Sequence, residues 1–152
     1  MTAAGLAERL VGVWVLESYE MRDADGAVHA PFGPDATGVL TYGPDRRMAV
    51  QVMDPRRPRW GRDVPEAARV AQRRAAADGY IAYAGRYEVA DGPTVVHHVE
   101  ISLVPNWVGR ALERAAELEG DRLRLSAPPV SVDGGPTIAV LTWRRDRHKT
   151  PR

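Results

Sequence analysis

Two adjacent histidines, His97 and His98, are the residues of this sequence best suited to chemistry. They lie in the run TVVHHVEISL, with Glu100 two positions beyond the second of them. Imidazole titrates near neutral pH, and a carboxylate two residues away on a strand lies ~7 Å along the same face. Tyr83, in the preceding run YIAYAGRYEVA, adds a phenol hydroxyl. If the protein is an enzyme, His97, His98, Glu100 and Tyr83 are its candidate acid/base residues.

The two runs flank Asp91-Gly92 and predict a long β-hairpin within residues 79–107. Neighbouring side chains on a strand point to opposite faces, so only one histidine faces the interior of a sheet. Aliphatic residues at alternate positions favour His97 as that residue, namely Val95, Val99, Ile101 and Leu103. On the first strand the same alternation predicts an inward set of Ile81, Tyr83, Gly85, Tyr87 and Val89.

The turn of this hairpin leaves two registers open. A two-residue turn pairs Gly85 with His98 and carries that histidine and the glutamate beyond it into the interior. A three-residue loop, with Gly92 as a bulge, pairs Gly85 with His97 instead. Pro93 has no N–H to donate to a closing pair, which favours the longer loop and His97 inside. In both registers the inward histidine faces a glycine, where the missing side chain leaves room for a ligand.

Other aromatic and amide side chains are candidates for ligand contact. Asn106-Trp107 follows the second strand at the rim of the predicted sheet, where an indole can cover a ligand and an amide can bond to it. Core packing is the simpler interpretation for Trp14 and Tyr42. The full candidate binding set is Tyr83, Tyr87, His97, His98, Asn106, Trp107, Tyr42 and Trp14.

The sequence shows no pattern that would hold a metal or a cofactor. His97 and His98 diverge, and His29 and His148 are isolated in the sequence, without His-x-His or His-Glu-x-x-His spacing. There is no cysteine, which excludes thiolate ligands and nucleophiles and is typical of a reducing cytoplasm. No nucleophile elbow, Walker loop or dinucleotide fingerprint occurs. We expect neither metal nor cofactor.

The elements that must position these residues are mostly short strands. The chain of 152 residues is expected to be one domain, with a core over about 8–145 and a frayed tail, and its 14 Gly and 12 Pro indicate many turns. Propensity favours a helix for ALERAAELE, but the turn and alternating strand that follow require a partner, so 112–119 is predicted as a strand. Pro65 can begin a single helix near 65–77, which would lie lightly on the sheet as a lid or plug. The other predicted strands lie near 12–19, 38–42, 47–53, 122–126 and 137–144.

These elements predict an all-β fold, an antiparallel up-and-down barrel of 8 to 10 strands with one short helix. The net charge of +1 and the acidic residues among the arginines of 56–74 favour a solvated surface over a nucleic-acid site. No apolar run could cross a bilayer, and the N-terminus lacks the features of a signal peptide. We therefore expect a cytoplasmic protein without nucleic-acid or membrane partners. The sequence does not indicate an oligomeric state.

A series of short motifs carries a resemblance that covers about residues 8–145. The motifs are LVGVW at 10–14, PFGP at 31–34, GVLTY at 38–42, YIAYAG at 80–85, VHHVE at 96–100, PNWVG at 105–109 and GDRL at 120–123. In this order the chain resembles the lipocalin-like domain family of small bacterial and fungal proteins. The resemblance implies that Trp14 closes one end of a barrel, with Arg144 or Arg145 packed over it.

The resemblance implies two kinds of function, because small barrels of this kind include both passive carriers and cofactor-free cyclases. The first is binding of one small hydrophobic molecule, polyketide-like or another secondary metabolite, inside the barrel. The alternative is a cofactor-independent cyclase or isomerase of secondary metabolism, in which interior His and Tyr groups polarise the substrate.

Overall fold

The computed structural model describes residues 1–132 and 135–148. The helices are α1 (Ala3–Leu10) and α2 (Val70–Asp78), and single 3₁₀ turns occupy Pro65–Ala67 and Pro105–Trp107. The strands are β1 (Gly12–Asp23), β2 (Val28–His29), β3 (Thr37–Tyr42), β4 (Arg47–Met53), β5 (Tyr80–Ala90), β6 (Thr94–Ser102), β7 (Ala111–Glu119), β8 (Arg122–Ser126), β9 (Val130–Val132) and β10 (Gly135–Arg145).

The strands form one antiparallel sheet that closes on itself. Its order is β2-β1-β3-β4-β5-β6-β7-β8-β10-β9, and β1 also pairs with β10. This pairing closes eight strands into a barrel and leaves the short β2 and β9 as additions at its edges. The predicted antiparallel barrel is therefore confirmed, and closure removes the strand edges that would otherwise be exposed.

Strand β7 confirms that pairing overrides helix propensity in ALERAAELE. It pairs with β6 through Ala115 opposite Thr94 and with β8 through Leu118 opposite Leu123. Its side chains are alternately exposed and at least half-buried, as expected for a strand with one face toward a core.

The prediction of a single helix at 65–77 is wrong in two respects. The segment divides into the 3₁₀ turn and α2, and the structure has a further helix, α1. The sequence contains two signals for α1, a capping residue at Thr2 and two leucines four positions apart, Leu6 and Leu10. In the structure the hydroxyl of Thr2 accepts a 3.0 Å bond from the N–H of Gly5, and both leucines are buried. Within the described ranges, neither helix is long and apolar enough to cross a membrane.

One end of the barrel is closed around Trp14. Its ring is fully buried and its indole N–H donates to the carbonyl of Leu10 at 2.9 Å, which ties β1 to α1. The guanidinium of Arg145 lies 4.3 Å from the centre of this ring and also donates to the carbonyl of Val11. Arg144 instead pairs with Glu17 on the surface, so Arg145 is the residue that the resemblance implied.

The first residues of the predicted C-terminal tail are held against the barrel by hydrogen bonds. Arg147 donates to the carboxylate of Asp121 at 2.7 Å, where the sequence predicts a frayed tail. The last residues of the predicted tail, 149–152, lie outside the described residues.

Candidate functional site

A cavity of about 500 Å³ occupies the interior of the barrel, toward the end opposite Trp14. Aliphatic and aromatic side chains from most of the strands form its wall, with few polar groups among them. The main apolar lining residues are Tyr19, Met21, Leu40, Val50, Val52, Ile81, Trp107, Leu112, Leu125, Leu141 and Trp143.

A chain of three hydrogen-bonding side chains leads from the core to this cavity. The Tyr42 hydroxyl lies 2.7 Å from Nε2 of His97, and the Tyr83 hydroxyl lies 2.7 Å from Nδ1 of the same ring. Tyr83 and His97 line the cavity, whereas Tyr42 does not. The three residues are buried, so these contacts provide hydrogen bonds that water does not supply.

His97 is neutral at physiological pH. Burial, together with the positive charge of Arg114, lowers its pKa to about 3. A neutral imidazole has one N–H and one acceptor nitrogen, so one tyrosine donates to the ring and the other accepts from it. Burial raises the pKa of both tyrosines, which therefore keep their protons.

The position of Tyr42 decides between the two tautomers of His97. In the described part of the chain, Tyr42 has no hydrogen-bond partner except Nε2, so its O–H donates there. Nδ1 of His97 then carries the proton and donates to the oxygen of Tyr83. This arrangement leaves the O–H of Tyr83 free to donate into the cavity.

Arg114 is the charged side chain of this site that the sequence analysis missed. It lies on the inward face of β7, in the alternating series that includes Leu112, Ala116 and Leu118. Its guanidinium lines the cavity and donates to the backbone carbonyl of Glu113 at 2.7 Å. The alternation of β7 was a signal that could have located it, because an arginine interrupts an otherwise apolar face.

The structure places His97 inside the barrel as predicted, but neither predicted register is right. His97 pairs with Tyr87 rather than with Gly85, and the last pair before the turn is Ala90 with Thr94. The loop therefore comprises residues 91–93, because Pro93 lies in the turn and takes no place in the ladder.

His98 and Glu100 lie on the outer surface, so their predicted placement in the lumen by the tight turn is wrong. His98 contacts Glu88 at 3.3 Å, and Glu100 accepts a 2.6 Å bond from Arg47. An acid/base pair at these two positions has no access to the cavity. An exposed ion pair such as that between Arg47 and Glu100 contributes little to stability.

Opposite Ala84 and Gly85, β6 carries one extra residue, Glu100, and this bulge reverses the alternation of β6 beyond Val99. Ile101 and Leu103, which the simple alternation predicts inside, are exposed as a result. An added residue in one strand flips every later side chain to the other face, and the sequence pattern alone does not reveal it.

The remaining predicted ligand contacts divide between cavity and core. Trp107 lines the cavity and packs edge-on against Tyr83, with ring centres 5.9 Å apart. Asn106, beside it, is exposed and is not among the lining residues. Tyr87 is buried with its hydroxyl donating to the carbonyl of Gly43 at 2.8 Å, and Trp14 belongs to the closed end.

Comparison with known proteins agrees with the barrel and its cavity. The sequence profile of the lipocalin-like domain matches residues 11–146. The chain belongs to the lipocalin-like domain family. It is also similar to the 4'-hydroxy-3'-methoxypropiophenone carrier protein ppsC of Aspergillus oryzae (strain ATCC 42149 / RIB 40), at 39% identity over 74 residues. That alignment covers 43% of this chain and 67% of the relative. Fold and relative together support the binding of a small molecule.

The cavity of this lipocalin-like barrel offers hydrogen-bond donors on an apolar background. Tyr83 and Arg114 line it with donors, whereas both nitrogens of His97 are already bonded to tyrosines. The other polar side chains of the lining are Tyr19, Arg110 and Glu113. Among residues 1–132 and 135–148, no three His, Cys, Asp or Glu side chains cluster as metal ligands would. The arrangement suits an apolar molecule that carries at least one acceptor oxygen.

Proposed function

We propose that the protein is a carrier that binds one small, largely apolar secondary metabolite inside the barrel. The observation that carries this proposal is the cavity of about 500 Å³ with its aliphatic and aromatic wall. Cavities of ~300–1,000 Å³ are typical of sites that enclose a small organic ligand. Burial of apolar ligand surface against such a wall contributes ~25 cal/mol per Å².

The polar groups of the cavity favour a ligand with oxygen acceptors. The O–H of Tyr83 can donate to a carbonyl, and Trp107 stands beside it as an aromatic surface for a flat ring. The relative from Aspergillus oryzae is named as the carrier of a propiophenone, an aromatic ketone. An aromatic, polyketide-like ketone is therefore the ligand class that we assign to this site.

Calorimetric titration with 4'-hydroxy-3'-methoxypropiophenone tests the proposal. Ala139 lines the cavity, so Ala139→Phe fills part of it, whereas Ala115 is exposed on the outer face of β7 and Ala115→Phe is the matched control. We expect saturable binding by the wild type and the control, and at least a tenfold loss of affinity in Ala139→Phe. Absence of saturable binding by the wild type, or equal binding by all three proteins, would contradict the proposal.

The alternative, a cofactor-independent cyclase or isomerase, stays a hypothesis that the geometry of His97 disfavours. A general base needs an available nitrogen and a pKa near the working pH, but both nitrogens of His97 are bonded and its pKa is about 3. Incubating a candidate substrate with wild type and with His97→Gln decides the point. If only the wild type forms product while both bind the substrate equally, the protein is an enzyme and the carrier proposal fails.

A further inference from the structure

We propose that Arg114 binds an acidic oxygen of the ligand, a carboxylate or a phenolate, so that the barrel selects anionic aromatic molecules. The inference rests on the proposed binding function and adds the charge of the ligand to it.

The position of Arg114 places a positive charge inside the barrel rather than on its surface. Arg114 pairs with Val95 on β6, and Val95 is fully buried and points inward. Two residues earlier, Leu112 pairs with His97, so Arg114 lies close to the hydrogen-bonded chain of tyrosines and histidine. Its charge acts on the hydroxyl of Tyr83, whose pKa burial raises and the guanidinium lowers.

The charge of Arg114 is not balanced by a neighbouring carboxylate. Ion pairs hold Arg122 and Arg144 to Glu17 on the outside of the barrel. No ion pair within 1–132 and 135–148 includes Arg114, whose hydrogen bond goes to the backbone of Glu113. Glu113 and Arg110 are both exposed and both line the cavity, so their opposite charges offset each other there. Arg114 is the charged lining residue that is largely buried.

The guanidinium of Arg114 has five N–H groups, one of which donates to the carbonyl of Glu113, so others can donate to an acceptor in the cavity. Tyr83 and Arg114 both line the cavity. Burial raises the pKa of Tyr83, while the charge of Arg114 and a hydrogen bond from it lower that pKa, so the two side chains offer neighbouring donors, one of them charged. Charge-assisted hydrogen bonds to an oxyanion are about twice as strong as bonds between neutral groups. An anionic oxygen on the ligand satisfies both donors at once, whereas a neutral ketone satisfies them less well.

Two probes of nearly the same shape separate charge from shape. 2-Naphthoate is an anion at pH 7.5, and 2-acetonaphthone is a neutral ketone on the same ring system. Their dissociation constants are measured by quenching of tryptophan fluorescence, since Trp107 and Trp143 line the cavity. The proteins are wild type, Arg114→Met, Arg114→Lys and the surface control Arg122→Met.

We expect the wild type to bind naphthoate at least tenfold more tightly than acetonaphthone. Arg114→Met loses that preference, because its affinity for naphthoate falls about tenfold more than its affinity for acetonaphthone. Arg114→Lys keeps part of the preference, and Arg122→Met retains all of it. If Arg114→Met weakens both probes equally or neither, Arg114 has only a structural role and the inference is overturned, while the carrier proposal stands. If neither probe binds to the wild type, the inference about Arg114 is overturned, while the carrier proposal is decided by the titration with 4'-hydroxy-3'-methoxypropiophenone.

Discussion

The His97 ring owes its neutral state to its surroundings rather than to its own chemistry. It is buried between two tyrosine hydroxyls, and burial disfavours the imidazolium form. The histidine orients Tyr83 toward the cavity, and Tyr42 fixes the tautomer from the core side. The function of the site therefore depends on three side chains that act as one hydrogen-bonded unit.

This neutral ring predicts that the protein loses stability in mild acid. Unfolding frees the ring to take up a proton near its usual pKa of 6.5, whereas the folded pKa is about 3. Between these values the unfolded state binds more protons, so the free energy of unfolding falls as the pH falls, by ~1.4 kcal/mol per pH unit from this group. Urea unfolding at pH 7.5 and pH 5.0 should show a decrease of about 2 kcal/mol from His97.

The control for this pH dependence is a pair of histidine variants. His97→Gln keeps a donor and an acceptor but does not titrate, so its stability should fall less between the two pH values. His98→Gln, altered on the exposed face, should follow the wild type. Equal pH dependence in all three proteins would contradict a neutral buried His97.

The two tyrosines of the unit should separate stability from binding. Tyr42→Phe leaves Nε2 of His97 without its donor, at a position outside the cavity lining, and should cost about 1–3 kcal/mol of unfolding free energy with a smaller loss of ligand affinity than Tyr83→Phe. Tyr83→Phe removes the hydroxyl that faces the cavity and should weaken binding of an aromatic ketone several-fold. Urea unfolding and calorimetry on both variants check this, and the reverse assignment of effects would contradict it.

Some of these residue positions could be predicted from the sequence and others could not. Alternation of aliphatic residues identified His97 as the inward histidine because burial follows a period of two on a strand. The hydrogen-bond partners of its ring, Tyr42 and Tyr83, lie on β3 and β5. The spacing of residues within one strand does not show which side chains of other strands will contact it. Arg114 was missed although the alternation of β7 places it inward, because a charged residue on an inward face departs from the usual polarity pattern of a strand.

At the scale of elements, the β5–β6 hairpin shows why its register escaped prediction. Turn residues limit a hairpin to a few registers, but the choice among them depends on packing. Pro93 lies in the loop rather than in β6, and the extra residue of β6 opposite Gly85 shifts the strand pairing a second time, farther from the turn. By contrast, β7 was predictable despite its helix-forming composition, because the strand after the Gly120 turn required a partner.

The bulge predicts that Gly85 tolerates no side chain. A Cβ atom on Gly85 would collide with the backbone carbonyl oxygen of His98, which cannot move without breaking the ladder. Gly85→Ala should therefore cost about 3 kcal/mol in unfolding free energy. Gly92, by contrast, has a positive φ of 76° but open space around it, so Gly92→Ala should cost only about 1 kcal/mol. Equal losses of thermal stability in the two variants would contradict the close approach at the bulge.

At the scale of the whole molecule, the barrel is closed at one end and hollow at the other. Helix α1, Trp14 and Arg145 fill the closed end, while the cavity extends toward the opposite strand ends. The closed barrel and the role of Trp14 were predictable because strand number, turn density and motif order all agreed. The volume of the cavity was not, since it depends on how the inward side chains pack together.

The closed end predicts different roles for two adjacent arginines. Arg145 stacks on Trp14 and donates to the backbone of Val11, so Arg145→Met should lower the unfolding free energy by about 2 kcal/mol. Arg144 forms an exposed ion pair with Glu17, so Arg144→Met should change it by less than about 1 kcal/mol. Thermal or urea unfolding of the two variants measures the difference, and equal losses would contradict the role assigned to Arg145.

The location of a bound ligand tests the central claim most directly. Nuclear Overhauser effects between 4'-hydroxy-3'-methoxypropiophenone and labelled Ile, Leu and Val methyl groups report which side chains lie beside it. We predict contacts from the ligand to Val52, Leu125 and Leu141, which line the cavity, and none to the exposed methyl groups of Ile101. Contacts to Ile101 without contacts to the three cavity residues would contradict binding inside the barrel.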